Sequence, residues 1–87
     1  MKRQEIIDRI HRLLVEEFEA DPAKIRPETD MYRELDLDSL DGINLITILE
    51  KELKVRVDPQ KLRNVRTLSQ LHDFVIEMAK SAGKLED

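Results

Sequence analysis

Apolar residues recur at three- and four-residue intervals along three separate segments of this chain, approximately residues 3–19, 39–53 and 67–82. This period places them on one side of an α-helix, whereas a half-buried strand alternates apolar and polar residues. The only alternating run, residues 55–57, is too short for a sheet and has no partner run. The sequence therefore predicts an all-α fold.

The end of the first helix and the connection that follows it are marked by proline. Asp21 followed by Pro22 stops the helix and allows at most one short turn, through Ile25. Pro27 follows soon after, so the chain up to Asp38 is predicted to be mostly loop. A connection of this length is typical of a functional segment, and its apolar residues can fix it to the rest of the fold.

The later helices have recognisable first turns. Asp38 is a suitable N-cap, and Asp41, three residues later, can accept a hydrogen bond from its backbone N–H in return. Thr67 and Gln70 fit a capping box for the last helix. Asp58 before a proline predicts a short helix that ends near Asn64. Three main helices plus one short helix make a four-helix bundle, the architecture that short connections favour.

The chain is short and contains no cysteine among its 87 residues. Disulfides and thiolate metal sites are therefore excluded, and stability must come from packed aliphatic side chains. The length suits a single domain, residues 1–87, with a core from about residue 3 to residue 82. No apolar run approaches the length of a membrane span, and the first residues lack the apolar core of a signal peptide. These features predict a cytoplasmic monomer with no membrane insertion and no bound metal.

Charge is unevenly distributed along the chain, although the net charge is only −4. Residues 30–54 contain seven acidic and three basic side chains, and residues 55–66 contain four basic and one acidic. The acidic segment would repel phosphates, and the basic segment has no aromatic residues on which bases could stack. The sequence therefore predicts no nucleic-acid binding.

A serine lies at the predicted start of the second long helix, in Asp38-Ser39-Leu40-Asp41, with Leu35-Asp36-Leu37 before it. The N-terminus of a helix has free N–H groups and a positive dipole end, so it favours a phosphate attached there. The nearby carboxylates could hold Mg²⁺ during transfer of such a group. A serine after an aspartate cap is also a common first-turn residue with no further role.

The motif, the helix after it and the segment from Thr67 to Val75 together resemble the acyl carrier protein family. The resemblance implies that Ser39 receives a 4'-phosphopantetheine arm from coenzyme A through a phosphopantetheinyl transferase that uses Mg²⁺. The arm's thiol would carry acyl groups as thioesters to enzymes such as a ketosynthase, acyltransferase or ligase. Fatty acid, lipid or polyketide-type biosynthesis is the implied setting, and the protein itself would not be an enzyme.

The resemblance also implies two further sets of residues. Partner enzymes would recognise carboxylates of the acidic loop and second long helix: Asp36, Asp38, Asp41, Glu50 and Glu52. An apolar groove for the acyl chain would be lined by residues of that helix and of the short helix after it: Ile43, Ile46, Leu49, Val57, Leu62 and Val65. Ordinary core packing is compatible with the second set, since a soft aliphatic core can open to admit a chain.

Several positions depart from the family pattern. Asp36 replaces a common glycine, Asn44 replaces a common glutamate, and Lys51 interrupts an acidic triplet. The short helix contains Lys61 and Arg63 in place of acidic residues, and Leu62 lies where a small groove residue is usual. These departures leave open a specialised carrier that serves a dedicated pathway.

Two other interpretations remain open at this stage. An unmodified helical interaction module would bind partners through the acidic helix without carrying a group. A peptidyl or D-alanyl carrier would share the fold and the arm. Catalysis is rejected because His11 and His72 are far apart in sequence and nothing marks an orienting acid or an oxyanion hole.

Overall fold

The computed structural model describes residues 1–86, which contain four α-helices: α1 (Arg3–Phe18), α2 (Met31–Glu34), α3 (Ser39–Leu53) and α4 (Leu68–Ser81). Two 3₁₀ helices, Pro22–Lys24 and Pro59–Asn64, lie in the connections. The prediction of three main helices in an all-α fold is confirmed, with ends that differ by one or two residues. The short helix near residue 60 is also confirmed, but it is of the tighter 3₁₀ kind.

Helix α2 is the element that the sequence did not predict. Its N-cap, Asp30, accepts hydrogen bonds from the N–H groups of Tyr32 and Arg33 at 2.9 and 3.1 Å. A single helical turn has no apolar period to detect, so only its cap marks it. The connection was predicted to be mostly loop, and these four residues are a helical turn within it.

The long connection is attached to the start of α4 by backbone hydrogen bonds. The Met31 N–H donates to the Arg66 carbonyl at 2.8 Å, and the Leu68 N–H donates to the Thr29 carbonyl at 3.0 Å. The Ser69 N–H donates to the Pro27 carbonyl at 2.8 Å. These bonds hold the chain that leads to α3 in one position relative to α4.

The core is aliphatic, as the composition predicts. Helix α1 packs against α3 and α4, and the second 3₁₀ helix packs against α3. The side chains that are almost completely buried come from every long helix and from the connection: Ile6, Ile10, Leu14, Met31, Leu45, Leu49, Leu68 and Leu71. Within residues 1–86, no helix is both long enough and apolar enough to cross a membrane.

Candidate functional site

Ser39 is the first residue of α3, and a capping box fixes the helix start beside it. The Asp41 N–H donates to the Asp38 carboxylate at 2.8 Å, and the Asp38 N–H donates to the Asp41 carboxylate at 3.1 Å. This arrangement confirms Asp38 as the N-cap. The N–H groups of Ser39 and Leu40 have no acceptor within residues 1–86, so the helix end retains free donors.

The Ser39 side chain is exposed, and its hydroxyl makes no hydrogen bond within the described residues. An exposed hydroxyl beside free N–H donors and the positive end of a helix dipole suits a phosphate ester. Asp38 satisfies the cap, so Ser39 has no structural duty that modification would disturb. The site therefore has the geometry of an attachment point and not of a buried core position.

Carboxylates surround this helix end. Glu17, Glu19, Asp36 and Asp41 border a surface hollow of about 380 Å³ between the end of α1 and the start of α3. Within residues 1–86, no three acidic or histidine side chains converge closely enough to hold a metal ion. The hollow is therefore an acidic surface that attracts cations and basic protein surfaces over distance.

The five carboxylates predicted for partner recognition fall into two groups. Asp36, Asp38 and Asp41 lie around Ser39. At the other end of α3, the Glu50 carboxylate accepts the Val57 N–H at 3.1 Å, and Glu52 pairs with Arg9 of α1 at 3.0 Å. The structure thus brings three of the five together at the serine and gives the other two internal partners.

The residues predicted to line the groove are also divided. Ile46, Leu49, Leu62 and Val65 are buried in the common core, to which α3 and the second 3₁₀ helix contribute where they pack together, and Val57 is half-buried against this core. Ile43 is 45% exposed, so it faces solvent rather than this interior. The reason is that α3 is covered along part of its girth only, and Ile43 lies on the uncovered part.

Two apolar side chains next to Ser39 are exposed, which the sequence analysis did not anticipate. Leu40 is 63% exposed and Ile43 is 45% exposed, and they are three residues apart on α3. The available signal was the apolar set of this helix, which is wider than one core stripe needs. That excess width reaches solvent beside the acidic loop and forms a small apolar surface there.

His11 of α1 and His72 of α4 meet despite their separation in sequence. Their Nε2 atoms are 2.9 Å apart, so one ring donates a hydrogen bond to the other. Burial lowers the pKa of both imidazoles, and each ring's proximity to an aspartate, Asp8 or Asp73, partly opposes this. Sequence distance concealed this pair, since only the packing of α1 on α4 aligns the two positions.

Comparison with known proteins gives matches over most of the chain. A family model described as "Phosphopantetheine attachment site" matches residues 8–75. An "Acyl carrier protein 2" from Ralstonia nicotianae is 38% identical over 68 residues, which are 78% of this chain and 84% of that protein. An "Acyl carrier protein" from Saccharopolyspora erythraea is 31% identical over 90% of this chain and 82% of its own.

The fold agrees as well. A crystal structure of an acyl carrier protein from Thermotoga maritima superposes with a TM-score of 0.79 at 26% identity, covering 94% of this chain and 95% of that one. The family model begins within α1 and ends within α4, so its match includes α2 and α3 completely. The chain therefore belongs to the acyl carrier protein family, whose members are carriers without catalytic activity, and it has a phosphopantetheine attachment site.

Proposed function

We propose that Ser39 is the residue that carries the 4'-phosphopantetheine arm. The supporting observation is its exposed, unpartnered hydroxyl at the N-terminus of α3, inside the segment that the family model matches. The other serine in that segment, Ser69, is also exposed, but its N–H donates to the Pro27 carbonyl at 2.8 Å, so it lacks the free N–H donor that Ser39 has. Ser39 is therefore the better candidate for modification.

The arm supplies a thiol that carries acyl groups as thioesters, and this chain's residues provide its anchor. The free N–H groups of Ser39 and Leu40 would stabilise a phosphodiester on the Ser39 hydroxyl electrostatically. A phosphopantetheinyl transferase must reach this hydroxyl with coenzyme A. Ser39 is exposed, and within residues 1–86 no side chain forms a hydrogen bond with its hydroxyl, so the transferase can approach it.

Partner enzymes are proposed to bind the surface around Ser39. Asp36, Asp38 and Asp41 give it negative charge, and the exposed Leu40 and Ile43 give it an apolar centre. Glu50 and Glu52 extend the charge along α3, although each also has an internal partner. Such a surface fits enzymes that place basic side chains around an apolar contact, with charge setting the encounter rate.

We place the carrier, with its single domain over residues 1–87, in fatty acid, lipid or polyketide-type biosynthesis. Its exposed cations Lys51, Lys61 and Arg63 favour a dedicated set of enzymes, since they oppose the basic surfaces that acidic carriers attract. Any part of an acyl chain that enters the protein would lie in the interior where α3 packs against the second 3₁₀ helix. A peptidyl or D-alanyl carrier shares the same arm and differs in cargo.

The test uses intact mass after coexpression with a broadly specific phosphopantetheinyl transferase. Wild-type protein is expected to gain a single arm, ~340 Da. Ser39→Ala should gain nothing while keeping its fold, because Asp38 retains the cap, and Ser69→Ala is the matched control that should still be modified. An arm on the Ser39→Ala protein would refute the assignment, and no mass gain in wild type would instead support an unmodified interaction module.

A further inference from the structure

One stripe of α3 leads from the exposed serine into the interior. Ser39, Gly42, Ile46 and Leu49 follow each other at intervals of three and four residues, so they share one side of the helix. Ser39 is exposed, whereas the other three positions are buried. Gly42 is therefore the first buried position along this stripe from the proposed anchor of the arm.

Two side chains from other elements cover the backbone at Gly42. A Cβ placed on Gly42 would lie 3.5 Å from Leu62 Cδ2 and 3.5 Å from the hydroxyl oxygen of Tyr32. Leu62 belongs to the second 3₁₀ helix and is 6% exposed, and Tyr32 belongs to α2 and is half-buried. We call these two side chains over Gly42 the Tyr32–Leu62 cover.

The ring of the tyrosine contacts an arginine. The Arg66 guanidinium carbon lies 5.2 Å from the centre of the Tyr32 ring, a cation–π contact, and Arg66 Nε is 3.2 Å from the Asp30 carboxylate. The Tyr32 hydroxyl has no hydrogen-bond partner within residues 1–86, so it is free to bond with a bound group. The cover thus has an aliphatic half and a polar half.

We propose that the Tyr32–Leu62 cover determines which acyl groups enter the interior. The inference rests on the proposed function of Ser39. A long straight alkyl chain must displace Leu62 from Gly42 and gains no polar contact in return, so it stays largely outside. Short acyl groups, and those with an oxygen close to the thioester, do not need the interior and can bond with the Tyr32 hydroxyl. This carrier therefore serves short or oxygen-substituted acyl groups.

The test compares holo protein with octanoyl protein, loaded from octanoyl-coenzyme A by the transferase and verified by mass. A chain buried only in the native state raises the thermal midpoint. Wild type is expected to shift by less than about 1 °C on acylation, and Leu62→Ala by at least about 5 °C, on the scale set by the size of the domain. Gly42→Ala adds a methyl group in ordinary contact with the cover, and its thermal midpoint should not change on acylation.

A second measurement covers the case in which Leu62→Ala does not fold. Octanoyl chains with a ¹³C-labelled terminal methyl group are exposed to a soluble gadolinium chelate, whose effect reports accessibility. The methyl group should relax at least about twofold more slowly in the milder Leu62→Val variant than in wild type, because the cover is thinner. Leu71→Val removes the same atoms from a buried site in α4 and should match wild type.

The outcomes separate this inference from the proposed function. Protein that acquires no arm contradicts the role of Ser39 itself. Protein that acquires the arm but is already stabilised by octanoyl in the wild type as strongly as in Leu62→Ala overturns the cover alone. Equal methyl protection in Leu62→Val and Leu71→Val would overturn it as well, since a general loosening of the core would then explain the change.

Discussion

At the scale of single residues, backbone conformation sets the ends of the helices. Glu19, Asp36 and Lys54 are non-glycine residues in the left-handed region, with φ of 56°, 55° and 55°. Glu19 and Lys54 terminate α1 and α3, and Asp36 lies just before the α3 cap. A side chain makes this conformation costly, so we expect glycine at these positions to increase the free energy of unfolding.

Replacing Lys54 with glycine should stabilise the protein by roughly 0.5–1 kcal/mol. A residue with a Cβ pays about 1–2 kcal/mol for the left-handed conformation, and glycine removes this cost. Glycine also increases the entropy of the unfolded chain, which offsets part of the stabilisation. Urea unfolding measures the change. Lys51→Gly, within the same helix, is the control and should destabilise by about 1 kcal/mol. A loss of stability in Lys54→Gly would contradict the explanation.

Replacing Asp36 with asparagine should slow modification by the transferase at low salt. Asparagine tolerates the left-handed backbone, so the change removes one exposed charge near Ser39 without altering the loop. We expect a decrease of about two- to fivefold that fades as salt screens the surface. Asp36→Gly separates charge from backbone: equal slowing indicates charge, and unchanged rates in both variants would contradict acidic recognition at this position.

At the scale of elements, α1 and α4 are joined by the His11–His72 pair. The Nε2–Nε2 separation of 2.9 Å requires at least one neutral ring, since two imidazolium groups would have no acceptor between them. Both rings are partly or largely buried, which disfavours their charged forms. Protonation of both rings therefore opposes the packing of the two helices.

The protein should lose stability as pH falls below about 6.5, the ordinary histidine value from which both pKa values are lowered. As the pH falls, the histidines of the unfolded chain bind protons at a higher pH than the native pair does. The stabilisation by the neutral pair is therefore complete above pH 6.5 and is lost as the pH falls through the native pKa values. The pKa of Asp30 is lowered from its ordinary value of 3.8, so the titration of Asp30 changes the stability only near that pH and below, outside this window.

Urea unfolding at pH 7.5 and 5.5 tests this dependence. The double variant His11→Leu/His72→Leu should lose less stability between the two pH values than wild type does, whatever its stability at pH 7.5. Equal losses in the two proteins would show that other groups cause the pH dependence. The comparison is internal to each protein, so the packing effect of leucine cancels.

At the scale of the whole molecule, acidic and basic side chains are unevenly distributed along the chain. The surface around Ser39 is acidic, and Lys51, Lys61 and Arg63 are exposed with no ion-pair partner in the part of the chain that the structure describes. We propose that an enzyme whose basic side chains extend from the surface around Ser39 along α3 is repelled by these cations. Natural interfaces use repulsion of this kind to reject wrong partners.

The double variant Lys51→Glu/Arg63→Glu should be a better substrate than wild type for a general fatty acid synthase ketosynthase. Removing two repulsive contacts is expected to raise the elongation rate about tenfold at low salt, with little effect at high salt. Elongation by a standard synthase, wild type against the variant, measures it. A wild-type protein that already elongates as well as a housekeeping carrier would contradict the dedicated-pathway interpretation.

Much of this protein could be predicted from local sequence. Three apolar stripes at helical period gave the three long helices, and Asp38, Asp58 and Thr67 located helix starts by their capping chemistry. These features are local: a side chain caps a backbone group a few residues away, and an apolar stripe needs only to be buried somewhere. The resemblance around Ser39 likewise followed from one continuous segment, and the family match bears out the carrier assignment.

Tertiary structure decided what depends on which surfaces meet. The apolar width of α3 does not show which of its residues are exposed, and no local pattern predicts the hydrogen bond between His11 and His72, because both depend on how α1, α3 and α4 cover one another. The contacts of Leu62 and Tyr32 over Gly42 are of the same kind. Sequence by itself determined that this chain forms helices with a serine at the head of one of them. Only packing determined which side chains lie beside that serine, since long-range contacts are set by the whole chain.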